Sequence, residues 1–570
     1  MIRSLTLAFL GLSFLPAMSR SGSLPVAADT LAPGANIVLL KNRHNLLPLQ
    51  NLDSLTIVYA NDSLLAAFGA RYTENRGPQE LLIRSVAGKQ ELPAGAGILV
   101  IYGDSVAIDT AALAGYGAVI YSRFRNRQQT DLISQKIFGG RSFTGTLPDN
   151  LYGFSRGTGI FTPGGWRFSF GRPAEAGLDS AYLLGKIDSI ATQAIGSGVA
   201  PGIQVLVARN GRVVMHKTYG YQTYDSLVPV RKDMLYDFAS VTKITGALPA
   251  LMQLFDQNKF SLDATMGTYL PYFAKSNKKD LPYRRVLSHN AGLKSWIPYW
   301  TTTLKKNGKF KRHTLAPDST ADYPVKLTDN LYLHKDYRDK IYKMIKKSPL
   351  NDKPGYVYSG LSFYLYPEII EKLTGQDYEQ YLKTHIYKPL GASTLTYNPM
   401  RFYPKDRMIP TEVDTFFRKV PLQGVVHDEG AAMMRGVSAN AGLFGTTLDL
   451  AKLMQMYLWR GRYGGRQFIS ANTMEIFTAC HYCQEGNRRG LGFDKPVLED
   501  KEKGATAFDA SRHSFGHSGY TGTFAWADPD TGILFVFMSN RVYPTRLNRK
   551  LYQLNVRPAM HQAIYDALLK

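Results

Sequence analysis

Four short apolar runs crowd the chain between residues 34 and 153: "NIVLLKN", "SLTIVYAND", "GAGILVIYGD" and "GAVIYSRF". Each has a strand's length and is bounded by Gly, Asp or Asn. A continuous apolar run of that size suits a strand covered on both faces, as in a layered α/β sheet. "NRQQTDLISQKIFGG" adds a helix-like stretch after them. Residues 34–153 therefore read as an α/β domain. "FSRGTGIFTPGGWRFSFGRP" then brings Gly, Pro and aromatics without periodicity, so residues 154–178 read as a linker.

From residue 179 the pattern changes. "LDSAYLLGKIDSIATQAIGSG" is an amphipathic helix. It leads to "PGIQVLVARNGRVVMHKTYGY", two strand-like runs about an "RNG" turn. A second pair, "GTFAWADPDTGILFVFMSN", comes near the end, before the helix-like "PAMHQAIYDALLK". Strand pairs at both ends with helices between predict one α+β domain over 179–570, its ends meeting in one antiparallel sheet. At 570 residues the chain exceeds a single core, in keeping with two domains. Residues 301–347 hold 12 Lys or Arg and five Asp, with little periodicity before "YRDKIYKMIKK". They read as a solvated basic surface loop, with a substrate-steering lid as the sharper alternative.

The formal charge is +23. A charge this basic favours anionic surroundings, whether nucleic acid, phospholipid or an anionic cell envelope. The first residues choose among these. "MIRSLTLAFLGLSFLPAMS" has Arg3, an apolar stretch and then small residues, the layout of a secretory signal over residues 1–28. Its run from Leu5 to Leu15 is too short for a membrane span. The expectation is an exported protein, periplasmic or extracellular, with no transmembrane segment and no nucleic-acid partner. Cys480 and Cys483 in "CHYC" fit an oxidising compartment as a local staple or as two free thiols. Neither a metal nor another cofactor is expected.

The chemistry-bearing stretch is "DFASVTKITGALPALMQLF". Apolar residues at Val241, Ile244, Leu248, Leu251, Met252 and Phe255 follow a helical period. Pro249 inside it should kink the helix or leave a carbonyl unpaired. Ser240 stands at the helix start, either as a cap or as a nucleophile. Lys243, three residues on, shares its face. A serine hydroxyl attacks only when something takes its proton, and a buried amine can do so. Tyr358 in "KPGYVYSGLSFYLYPEIIEKLTG" is a second proton carrier. "FGHSGYTGTFAW" puts His517, Ser518 and Gly519 at a strand start, where glycine lets a substrate approach the backbone. His427, Asp428 and Glu429 in "GVVHDEG" read as structural or substrate-lining, because neighbours in a strand face opposite ways. His289 reads as a fixed buried hydrogen-bonding group. His216 and His513 have no such context.

Several segments together resemble the serine hydrolase family of class C β-lactamases, D-alanyl-D-alanine carboxypeptidases and related esterases. They are "FASVTKITGALPALMQLFDQNKFSLDATMGTYLP", "VLSHNAGL", "PGYVYSGLSFYLYPEIIEKLTG", "ANAGLFGTTLDLAKLMQMYL" and "GHSGYTGTFAWADPDTGILFVFMSN". The resemblance covers about 180–570 and implies an antiparallel sheet flanked by a helical region. It implies Ser240 as nucleophile, Lys243 as its proton partner and Tyr358 as shared base and acid. His517 would orient Tyr358 or a substrate carboxylate. The amides of Ser240 and Tyr520 would form the oxyanion hole, with Ser518, Gly519 and Gly360 lining the substrate. The implied substrate is a small molecule or peptide of peptidoglycan origin. Gly360 departs from the family pattern, which has Asn or Asp there, and that lowers the expectation for β-lactam hydrolysis. A non-catalytic envelope-binding protein with a degenerate site is the competing class. Residues 34–153 in turn resemble the C-terminal α/β domain of glycoside hydrolase family 3, through "GANIVLLKNRHNLLPL" and "LISQKIFGGRSFTGTLP". That family's catalytic barrel has no counterpart here, so no glycosidase activity is expected.

Overall fold

Alternation along the strands decides which helices they meet. In the computed structural model, which describes residues 36–88, 95–352, 355–500 and 504–569, two sheets dominate. The predicted signal segment lies outside the described residues.

The first sheet holds β1 (Ile37–Asn42), β2 (Leu55–Ala60), β3 (Gln79–Ala87), β4 (Ile98–Tyr102) and β5 (Ala118–Ser122). Its order is β1-β5-β4-β3-β2, parallel throughout except for antiparallel β1. In β4, Ile98 and Val100 face one core with Leu65 of α1 (Ser63–Gly69) and Ile133 of α2 (Arg127–Ile137). Leu99 and Ile101 face the other core, with Val106 and Leu113. Both faces are covered, as the unbroken apolar runs require. Asp62 and Asn126 cap the two helices, accepting from Leu65 N at 2.8 Å and Gln129 N at 2.9 Å.

The second sheet contains β6 (Ser169–Phe170), β7 (Gly202–Arg209), β8 (Arg212–Gly220), β9 (Phe515–Ser518), β10 (Phe524–Asp528) and β11 (Ile533–Ser539). Its order is β9-β10-β11-β7-β8-β6, antiparallel but for the short β6. The pairing of β11 with β7, from Ile203↔Ser539 to Arg209↔Ile533, joins the two ends of the segment as predicted. Val205, Val207, Phe535 and Phe537 pack with α3 (Ser180–Gly196) and the last helix, Val556–Asp566. Leu206, Ala208, Leu534 and Val536 face the helical region that carries Ser240.

The stretch 301–347 is not the solvated loop read from its charge. It builds a three-stranded sheet (Leu315–Ala316, Val325–Thr328 and Leu331–Leu333) and the helix Tyr337–Lys347. Leu327, Leu333, Ile341 and Ile345 anchor both in the core. Arg338, Lys343, Lys346 and Lys347 of this helix border a groove of about 520 Å³, and Ser240, Lys243, Tyr358 and His517 are not among its lining residues.

The two sheets' domains share buried polar contacts. Arg167 donates to the carbonyls of Leu49, Gln50 and Phe138 at 2.5–2.9 Å. Lys452 Nζ donates to Asp449 Oδ1 (2.7 Å), Gly391 O (2.6 Å) and Tyr72 O (3.1 Å). Among the described residues, no helix is long and apolar enough to cross a membrane.

Candidate active site

The serine is held by strained and well-anchored backbone. Ala239 has φ 45°, a left-handed conformation that costs a non-glycine residue about 1–3 kcal/mol. The Asp237 carboxylate pins it, accepting from Ala239 N at 2.8 Å and from His427 N at 2.6 Å. Ser240 then lies in the 3-10 turn Ala239–Val241 and makes no capping bond, which removes the cap reading. Buried Lys243, in the helical turn Thr242–Thr245, donates from Nζ to Ser240 Oγ at 3.0 Å and to Asn440 O at 2.8 Å.

The helix breaks at Gly246 (φ −99°, ψ −94°), not at Pro249. Pro249 thereby falls in the first turn of Ala247–Asp256, where a missing N–H is harmless. The carbonyls released by the break accept from buried phenols instead. Tyr387 reaches Thr245 O at 2.8 Å and Tyr457 reaches Ile244 O at 2.6 Å.

Tyr358 lies between two cations and two imidazoles. Its ring centre is 5.3 Å from Lys243 Nζ and 5.0 Å from the Arg489 guanidinium carbon. The rings of His289 and His517 are 4.7 Å and 5.9 Å away. Among the described residues the buried Tyr358 hydroxyl has no hydrogen-bond partner, unlike the buried tyrosines that brace the helix break. His517 makes no hydrogen bond to Tyr358. Its Nδ1 meets Ser518 O at 2.8 Å, so Nδ1 carries the proton and Nε2 accepts from Arg489 Nη1 at 3.4 Å. Burial, then the charges of Arg489 and Lys243, hold the His517 pKa well below the ordinary histidine value. The same causes act on His289, with His517 adding a smaller share. His289 also fixes the Tyr358 segment, because Ser359 N donates to its Nδ1 at 3.1 Å.

Arg489 escaped the sequence reading. It is buried, pairs with Asp494 at 3.3 Å and donates to Tyr356 OH at 3.1 Å. "NRRGLGF" carries no pattern that marks it, and folding alone brings residue 489 to 517.

Gly519 has a packing reason of its own. A Cβ there would collide with Thr523 Oγ1 and with the carbonyl of Phe238. The glycine lets the 519–523 turn close against the strand leading to Ser240. Thr521 and Thr523 complete that contact, donating to Asp237 O at 2.8 Å and Phe238 O at 2.9 Å. Among the described residues, the Ser240 and Tyr520 amides make no turn or loop backbone hydrogen bond. At Gly360 a Cβ would meet nothing within 4 Å, so the missing Asn or Asp leaves open space.

The cluster 427–429 braces this site from behind. Asp428 accepts from Tyr364 OH (3.1 Å) and Asn440 Nδ2 (3.2 Å), and Ser438 Oγ donates to Asn440 Oδ1 at 2.6 Å. Together they lock the peptide whose carbonyl receives Lys243. His427 Nε2 lies 2.7 Å from Glu412, which Arg546 also holds, drawing the Glu412 pKa down to about 2. Cys480 and Cys483 are disulfide-bonded, which decides between staple and free thiols. His513 pairs with Asp530 at the surface, and His216 is half-buried beside Gln204.

Residues 187–557 match the family model described as "Beta-lactamase". The chain belongs to the beta-lactamase family. It is a serine hydrolase of the class the sequence resemblance named, with the β-lactamase and penicillin-binding-protein fold. The N-terminal sheet lies outside the match. Relatives include a protein of Escherichia coli K12 described as "Putative D-alanyl-D-alanine carboxypeptidase", 29% identical over 398 residues, covering 65% of this chain and 84% of that one. A Bacillus subtilis protein described as an N-acetylmuramyl-L-alanine amidase is 29% identical over 395 residues, covering 65% and 83%. Among solved structures, a penicillin-binding protein homologue from Caulobacter crescentus is 21% identical, covering 68% of this chain and 98% of that one at TM-score 0.47.

Proposed function

We propose that this beta-lactamase-family hydrolase cleaves an amide or ester through an acyl-enzyme on Ser240, with cell-wall peptides as its substrates and an exported site of action. The contact that carries the reading is Lys243 Nζ, 3.0 Å from Ser240 Oγ and 2.8 Å from Asn440 O. Relatives described as a carboxypeptidase and a muramyl amidase support the substrate class.

In this reading Ser240 Oγ bonds to the substrate carbonyl carbon as its proton passes to Lys243 or Tyr358. The tetrahedral oxyanion meets the amides of Ser240 and Tyr520, each such donor contributing roughly 3–4 kcal/mol. Collapse breaks the bond to the leaving group, and Tyr358 returns the proton to the departing amine or alkoxide. Water then repeats the sequence on the acyl-enzyme and frees the acid. Neutral His517, both of its ring nitrogens engaged, positions Tyr358 by ring packing at 5.9 Å and not by a hydrogen bond. Ser518 and Gly519 line one wall, and the open space at Gly360 another. The domain at 34–153 contributes no hydrolytic side chain; its resemblance to a glycosidase accessory domain supports an envelope context.

A fluorophosphonate probe tests the reading. It should label Ser240, as located by peptide mass mapping, and Ser240→Ala should abolish both labelling and ester turnover. Labelling of another serine would sink the assignment.

A further inference from the structure

Two arginines beside the cleft have no use in that chemistry. Arg541 follows β11, and Arg557 stands in the first turn of the last helix, Val556–Asp566. They are 0% and 5% exposed. Arg541 Nη1 donates to Asn548 O at 2.7 Å, but among the described residues its Nε and Nη2 have no partner. Nε and Nη1 of Arg557 have none either. One ring links the two, because Tyr552 lies 5.0 Å from the Arg541 guanidinium and 5.3 Å from that of Arg557.

Neither arginine forms an ion pair among the described residues; Glu412 and Glu429 pair with Arg546 instead. A buried guanidinium without a counter-charge is strongly disfavoured, and here there are two. Burial lowers the Arg557 pKa, Arg541 lowers it further, and Tyr552 acts in the opposite sense. The helix end adds partial positive charge, because the Asn555 side chain makes no capping bond.

We infer that Arg541, Arg557 and the amino-terminal turn of the last helix form a binding site for a phosphate-type oxyanion. Two guanidiniums match a dianion, and their planar forks suit its oxygens. Leu547 and Leu554, in the chain between the two arginines, are 80% and 52% exposed, so a lipid headgroup and a free phosphate are both admissible sources. Arg541 also stacks on Tyr520 at 4.6 Å, so an occupied site would brace that residue.

The test uses the full chain. Thermal unfolding is followed against inorganic phosphate, with ionic strength held constant by sodium chloride. Co-sedimentation is measured with vesicles of phosphatidylglycerol in phosphatidylcholine and of phosphatidylcholine alone. The wild type should gain a few degrees in Tm with phosphate and none with chloride, and Arg557→Met should remove the gain while keeping the wild-type circular dichroism spectrum. Pelleting with the anionic vesicles alone, lost in Arg557→Met, would identify a lipid headgroup as the source. A phosphate response without pelleting would identify the free anion. A phosphate response unchanged in Arg557→Met overturns the site, and so does a wild type indifferent to both phosphate and anionic vesicles. Should Arg557→Met fail to fold, Arg557→Gln and Arg541→Met decide by the same readouts.

Discussion

Two buried lysines stand three residues after a polar partner, Lys243 after Ser240 and Lys452 after Asp449. Lys452 meets a carboxylate and two carbonyls, three acceptors for three N–H bonds, and ties the N-terminal domain to the hydrolase domain. Among the described residues, Lys243 meets one hydroxyl and one carbonyl and no carboxylate. The first arrangement consumes every hydrogen-bonding capacity of the ammonium. The second supplies no counter-charge among the described residues, so the amine beside Ser240 can act as a proton acceptor in the proposed reaction. In the proposed reaction, the same residue type at the same spacing is a staple in one region and a proton carrier in the other, and the acceptors decide which.

Substitution can break that contrast. The largest expected effect is Ser240→Ala, with ester turnover falling on the order of 10⁵-fold or more and Tm little changed. Next, Lys243→Ala should lower kcat by roughly 10³-fold with a smaller change in KM. Lys452→Met should do the reverse, sparing kcat of the folded protein but costing about 3–5 kcal/mol in denaturant unfolding, because Asp449 is left buried and unpaired. Equal losses of activity and stability in both variants would erase the distinction. Asn440→Ala loosens the peptide that receives Lys243 and should cost about tenfold in kcat, roughly 1.4 kcal/mol.

The smallest effect is in pH dependence. His517 has a folded pKa far below its unfolded value, so the unfolded chain takes up the proton first. Its contribution to stability is complete above about pH 6.5 and is lost as pH falls below that value, by about 1.4 kcal/mol per pH unit. His517→Asn should make the acid limb of the stability profile shallower by one proton. An unchanged slope would mean that His517 is charged in the folded cleft.

Much of this architecture was legible in the sequence because burial on two faces leaves an unbroken apolar run. β1, β4 and β5 are legible that way, as are the β7–β8 and β10–β11 hairpins; β2 carries a similar run at the sheet edge, where it is only half-buried and Val58 is exposed. β3 was missed because its exposed Gln79 and Glu80 and the charged Arg84 interrupt the apolar pattern. The 301–347 stretch was misread because strands of two to four residues are too short to show a period, while its lysines dominate the composition. Ser240 and Lys243 announce themselves by spacing within one turn. Arg489, Asn440 and Asp428 reach the cleft only through tertiary contact, and no local pattern encodes that.

The union of β7 with β11 also bears on synthesis. These partners lie more than 300 residues apart, and they form the centre of the hydrolase sheet. A ribosome adding about 5–20 residues per second needs roughly 15–60 s to travel from one to the other. Throughout that interval the early hairpin presents an apolar edge with no mate, open to any neighbouring strand. The hydrolase sheet therefore cannot be completed until β11 has been made.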